Sequence, residues 1–99
     1  MVVGTLTMDL LLGDVHSLKE KRSVVRPIVA ELRRRFEVAA AETGDVELHR
    51  RAELAVAVVS SSHRHAVEVL EQCERLVAGR PDLELLSARR RVLDDGDLD

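Results

Sequence analysis

Ninety-nine residues suffice for one domain around one hydrophobic core and leave no room for a second. A single cysteine, Cys73, excludes an internal disulfide, and 15 basic against 18 acidic residues give a net charge of -3, which by itself argues against nucleic-acid binding. The total conceals a division, because Asp94, Asp95, Asp97 and Asp99 crowd the C-terminal end and the rest of the chain carries 15 bases against 14 acids.

Residues 2–12 alternate, with Leu6, Met8, Leu10 and Leu12 on one side and Thr5, Thr7 and Asp9 on the other, which predicts a half-buried first strand. This run is too short to span a bilayer, is interrupted by Asp9 and has no basic leader, so a cytoplasmic protein without membrane association is expected. Ser17 followed by Glu20 predicts a capping box. Leu18, Val25, Ile28, Val29, Leu32 and Phe36 then share one stripe at helical spacing, and a first helix is expected over 18–35. Pro27 lies inside it, away from the stripe, and predicts a kink or a break. Residues 37–42 form a weak strand candidate, and the loop 43–51 is read as holding one helical turn.

Leu54, Val56 and Val58 alternate with Ala55, Ala57 and Val59, marking the clearest strand, 52–60. Ser60, Ser61 and Ser62 offer N-caps to a second helix with Ala66, Val69, Leu70, Cys73 and Val77 inward, stopped by Gly79 and Pro81. Residues 83–88 read as the last strand, extendable to Leu93, and 94–99 as an acidic, disordered tail. The order βαββαβ predicts an α+β fold over residues 1–93: a ferredoxin-like four-stranded antiparallel sheet with two helices on one face.

Lys19, Lys21 and Arg22 fall in the first turns of a helix, where the macrodipole disfavours cations. Ser17 and Glu20 already account for the cap, so a binding partner would explain these cations. The stretches "HSLKEKRSVVRPIVAELRRRF", "RAELAVAVVSSSHRHAVEVLEQCERLV" and "PDLELL" resemble the YlxP-like family, small bacterial proteins of unassigned biochemical function. The resemblance implies a ferredoxin-like fold, a gene neighbourhood shared with translation initiation and ribosome maturation factors, and no accepted catalytic residues. His49 stands where the family pattern leads one to expect tryptophan, and Ala55 where it leads one to expect glycine.

Ferredoxin-like topology would gather Lys19, Lys21, Arg22, His49, Arg50, Arg51 and Arg80 at one end, and Arg33 to Arg35, Arg64 and Arg89 to Arg91 at the other. Lys19, Arg22, Arg26 and Arg33 share an arc of about 60° on the first helix and would join the two ends. The expected surface for RNA phosphates or an acidic protein therefore comprises Lys19, Lys21, Arg22, Arg26, Arg33, Arg34, Arg89, Arg90 and Arg91. Its expected partner is ribosomal RNA or a ribosome-associated protein. With Phe36 as the only aromatic residue, the sheet is not a base-stacking platform. The rival reading is a homodimer through the open sheet face, lined by Thr5, Thr7, Ala55, Ala57 and Val59. The bland reading of both is a solvated charged flank and an ordinary exposed face.

No enzyme motif is present. "GDVHSLKEKR" lacks the glycine-rich anion cradle of acylphosphatases, the four histidines have no metal-ligand spacing, and Cys73 lies on an inward stripe. Neither a catalytic residue, a metal, a cofactor nor a small-molecule substrate is inferred. The acidic tail is expected beside the second arginine cluster, where it would mask it.

Overall fold

β1 (Val2–Leu12) buries every second side chain, and Leu6, Met8, Leu10 and Leu12 form the floor of the core. The structure, a computed structural model, describes residues 1–99. α1 (Leu18–Arg35), β2 (Ala39–Thr43), β3 (Arg51–Ser60), α2 (His63–Ala78), β4 (Leu83–Leu93) and the single turn α3 (Asp95–Leu98) follow. All pairings are antiparallel and the strand order is β2-β3-β1-β4, so the first strand lies inside the sheet between β3 and β4. Thus the chain has the expected ferredoxin-like arrangement, with α1 over β2 and α2 over β1, β3 and β4.

The core is a layer of aliphatic side chains between sheet and helices: Leu54, Val56 and Val58 from β3, Val25, Ile28 and Leu32 from α1, and Ala66, Leu70, Cys73 and Val77 from α2. Gly4 is buried under α2, and a Cβ there would lie 3.0 Å from Leu70 Cδ1, 3.1 Å from Val58 Cγ1 and 3.3 Å from Ala66 Cβ. Its missing side chain lets the helix settle on the sheet.

Helix α1 has its expected bounds and runs unbroken through Pro27. The proline is exposed, so the ring and the carbonyl it leaves unpaired face water rather than the core. The weak second strand begins at Ala39, and the hairpin loop holds a turn without a helix, with Gly44 at φ 71 where the chain leaves β2. β4 extends through Leu93, with a bulge against Asp9 and Leu10 that leaves Leu86 exposed.

The segment read as a disordered tail carries one closed turn. Asp94 accepts from the N–H groups of Gly96 and Asp97, and the Asp97 carboxylate accepts from the Asp94 N–H at 2.9 Å. These acids satisfy one another's backbone donors, and Asp95 pairs with the Met1 ammonium at 3.1 Å. None of the ion pairs links the tail to an arginine.

Two outcomes test this packing. Gly4→Val should lower stability by roughly 1–3 kcal/mol in urea unfolding, because the added methyls have no space under α2. Burial pushes the Cys73 thiol up from 9.0 to about 11. A pKa raised by folding means that this thiol's contribution is fully present below about pH 9 and lost as pH rises through about 11. The urea midpoint should therefore fall between those values more steeply for the wild type than for Cys73→Ala, and a thiol reagent at neutral pH should label Cys73 only at the rate of unfolding.

Candidate anion-binding surface

The start of α1 decides which of its cations are free. Ser17 Oγ accepts from the Glu20 N–H at 3.1 Å, as a cap requires. Glu20 Oε2 accepts in turn from the His16 N–H at 3.0 Å, one residue upstream of the reciprocal partner expected in a capping box. Both bonds leave the lysines of this turn unused.

Lys21 is nevertheless not a surface residue. Its side chain is 2% exposed, and Nζ lies 2.7 Å from Glu42 Oε2 while donating to the carbonyls of Leu48 at 2.6 Å and Val46 at 3.2 Å. The expectation that Lys21 meets a partner is corrected: a carboxylate and two carbonyls of the β2–β3 hairpin consume its charge. Spacing is the reason, because Lys21, Val25, Ile28 and Leu32 lie four, three and four residues apart on the buried stripe of α1. That signal was present in the sequence. Nothing there pointed to Glu42 or to the two carbonyls.

Lys19, Arg22 and Arg26 face solvent and line one shallow depression with Ser23 and Pro27. No acid lies within ion-pair distance of any of the three. Like charges three and four residues apart on a helix repel, so this row costs stability as it stands. A neighbouring depression joins Arg22 and Arg26 to Arg33, making a cationic row about 21 Å long at 1.5 Å per residue. Arg33 is partly engaged, since Nε donates to the Ala40 carbonyl of β2 at 2.9 Å and Nη2 donates to the same oxygen. Arg34 is exposed and unpaired.

The second arginine run does not act as one cluster. Arg89 and Arg91 stand opposite Thr7 and Thr5 on the open face, whereas Arg90 stands opposite Leu6 on the helix side, 3.4 Å from Glu71. Alternation along a strand divides them. The rest of that end is largely neutralised locally, by Arg35 with Glu31 at 3.3 Å and Arg64 with Glu68 at 3.1 Å. Arg80 is also held, 3.5 Å from Asp82.

Thr5, Thr7, Ala55, Ala57 and Val59 do share the face that carries no helix, Thr5 beside Ala57 and Thr7 beside Ala55. Val59 is 68% exposed. Ala39 and Ala41 of β2 continue this floor, and a concavity of about 670 Å³ lies over it, with Arg33 and Arg91 at opposite rims. His49, at the position expected to carry tryptophan, is exposed on the hairpin loop. No three histidine, cysteine or acidic side chains gather as a metal site would require, and no helix is long and apolar enough to cross a membrane.

The two classes of cation should respond differently to substitution. Lys21→Met leaves Glu42 and two carbonyls without their donor and should cost about 3 kcal/mol or more in urea unfolding. Lys19→Glu with Arg22→Glu, which touches no partner, should stay within about 1 kcal/mol of the wild type.

A de novo designed protein with a ferredoxin fold, solved by solution NMR, superposes with a TM-score of 0.55 at 14% identity, covering 96% of this chain and 88% of its own. That likeness concerns the fold alone. The uncharacterized protein YlxP of Bacillus subtilis (strain 168) is 28% identical over 83 residues, which are 84% of this chain and 90% of the Bacillus protein. The profile of a family described as "Protein of unknown function (DUF503)" matches residues 3–90. With nearly the whole folded domain inside that match, the chain belongs to the DUF503 family, of which it is a YlxP-like member.

Proposed function

We propose that the protein is a non-enzymatic accessory factor of translation or ribosome maturation, acting in the cytoplasm by binding structured RNA through phosphate contacts. The observation that carries this reading is the row Lys19, Arg22 and Arg26, continued by Arg33 along one edge of α1, in which the first three cations have no acidic partner. Repulsion within the row and with the helix N-terminus is relieved by a polyanion, and phosphate contacts need no aromatic ring. Backbone and shape are what structured RNA offers to such a surface. The gene neighbourhood implied by the family resemblance favours ribosomal RNA over other polyanions.

Cosedimentation with ribosomal subunits, and anisotropy with a structured ribosomal RNA fragment, over a salt series test the reading. Lys19→Glu with Arg22→Glu should abolish cosedimentation and lower the slope of log K against log salt by about 2, whereas Arg90→Gln, already paired to Glu71, should change neither. Equal binding by the double variant and the wild type overturns the proposal.

A further inference from the structure

A solvated antiparallel face is ordinarily covered by long polar side chains. Here Ala39, Ala41, Ala55, Ala57, Thr5 and Thr7 leave the middle of the sheet bare over three adjacent strands. An open depression of about 670 Å³ lies over this floor. Its walls are cationic: Arg33, held in place by the Ala40 carbonyl, at the β2 edge, and Arg91 with Arg89 on β4, neither of which has an acidic partner. Three strand spacings put these walls roughly 14 Å apart.

We infer that this trough takes an amphipathic α-helix of a partner protein, apolar on the face that meets the floor and acidic along both flanks. A helix with its side chains is about 10–12 Å across and fits between the walls. Small residues beneath it leave room for the large aliphatic side chains of such a face, and the rim guanidinium groups meet carboxylates on either flank. One end of the trough is closed by Asp9 and Glu53, cross-strand neighbours held by Ser87 Oγ at 3.0 Å and Thr43 Oγ1 at 2.6 Å. The other end is apolar, at Val3 and Val59. Asp9, Glu53 and Asp45 outnumber Arg51 around the depression at this end, and the net negative charge favours the positive end of a helix dipole, so the bound helix enters N-terminus first there and runs in the direction of β3. Six residues of strand, about 20 Å, accommodate about 14 helical residues.

The other occupants fit less well. Two such bare floors laid face to face bring only small side chains together and leave the depression between them unfilled. A two-fold axis along the strands would set Arg91 against the partner's Arg33, and one across the strands through the Thr7 row would set Arg89 against the partner's Arg89. Nucleic acid finds no ring on the floor and meets two carboxylates at one end.

The test uses the full chain and a fluorescent 16-residue helical peptide with leucines on one stripe and glutamates on both flanks. Saturable binding is expected, weakened about tenfold by Arg91→Glu and regained when one flank of the peptide is changed to lysine. Ala57→Arg should block the trough while urea unfolding shows the fold intact. Amide shifts should map to β1 and β3, and a spin label on the peptide N-terminus should broaden Asp9 and Glu53. Lys19→Glu with Arg22→Glu should bind the peptide like the wild type, which separates this inference from the RNA reading. Absence of saturable binding, undiminished binding by Arg91→Glu, or shifts confined to α1 overturns it. So does a dimer that Ala57→Arg dissociates in a protein without peptide affinity, which assigns the face to a second copy. Displacement of the peptide from the floor by a single-stranded RNA oligonucleotide whose own shifts map there overturns it as well.

Discussion

A buried ammonium group organises one side of this molecule. Removing an amine charge from water costs several kcal/mol unless a counter-charge and acceptors replace the lost hydration. Lys21 finds all three of its partners on the β2–β3 hairpin, in Glu42 and the carbonyls of Val46 and Leu48. The hairpin is the least supported part of the sheet, with only five residues in β2 and an exposed loop from 44 to 50. Lys21 ties it to α1, and Arg33 repeats the device about 18 Å further along the helix by holding the Ala40 carbonyl at the outer edge of β2. Everything proposed for the cationic row and the sheet face presupposes that α1 and β2 keep this relation.

How much of this was legible in the sequence depended on the range over which each signal acts. The period of two in Leu6, Met8, Leu10 and Leu12, and the period of 3.6 in Val25, Ile28 and Leu32, are local, and they placed the main elements and their buried faces. Lys19, Arg22 and Arg26 were legible as one exposed row for the same reason. The charge of Lys21 points to solvent while its place on the stripe with Val25 and Ile28 points inward, and a charged residue at a core position is itself a request for a partner. The split of Arg90 from Arg89 and Arg91 follows from strand alternation once β4 is allowed to continue to Leu93. Their surroundings depend on pairing across more than eighty residues, which no local pattern carries.

The charges that remain after local pairing are not spread evenly. Arg35, Arg64, Arg75 and Arg90 lie beside glutamates, most at helical spacing, and leave little net field. Apart from Arg50 and Arg51 beside the hairpin loop, the cations without an acidic partner collect along α1 and at the walls of the sheet trough. These two surfaces meet at Arg33, so a molecule on one would be felt electrostatically by a molecule on the other within about a Debye length at physiological salt. On the two proposals above, one short segment of helix would join two kinds of anion.

Strand order also governs when the fold can form. β1 is made before β3 and β4, yet it lies inside the sheet and pairs with both. Closing contacts between residues as distant as Val3 and Leu93 carries a loop-entropy cost before any pairing offsets it. At roughly 5–20 residues per second the apolar strand stays without its β4 neighbour for several seconds of synthesis. Cooperative closure therefore awaits the C-terminal strand, and truncation within β4 should leave a chain that cannot protect its own first strand.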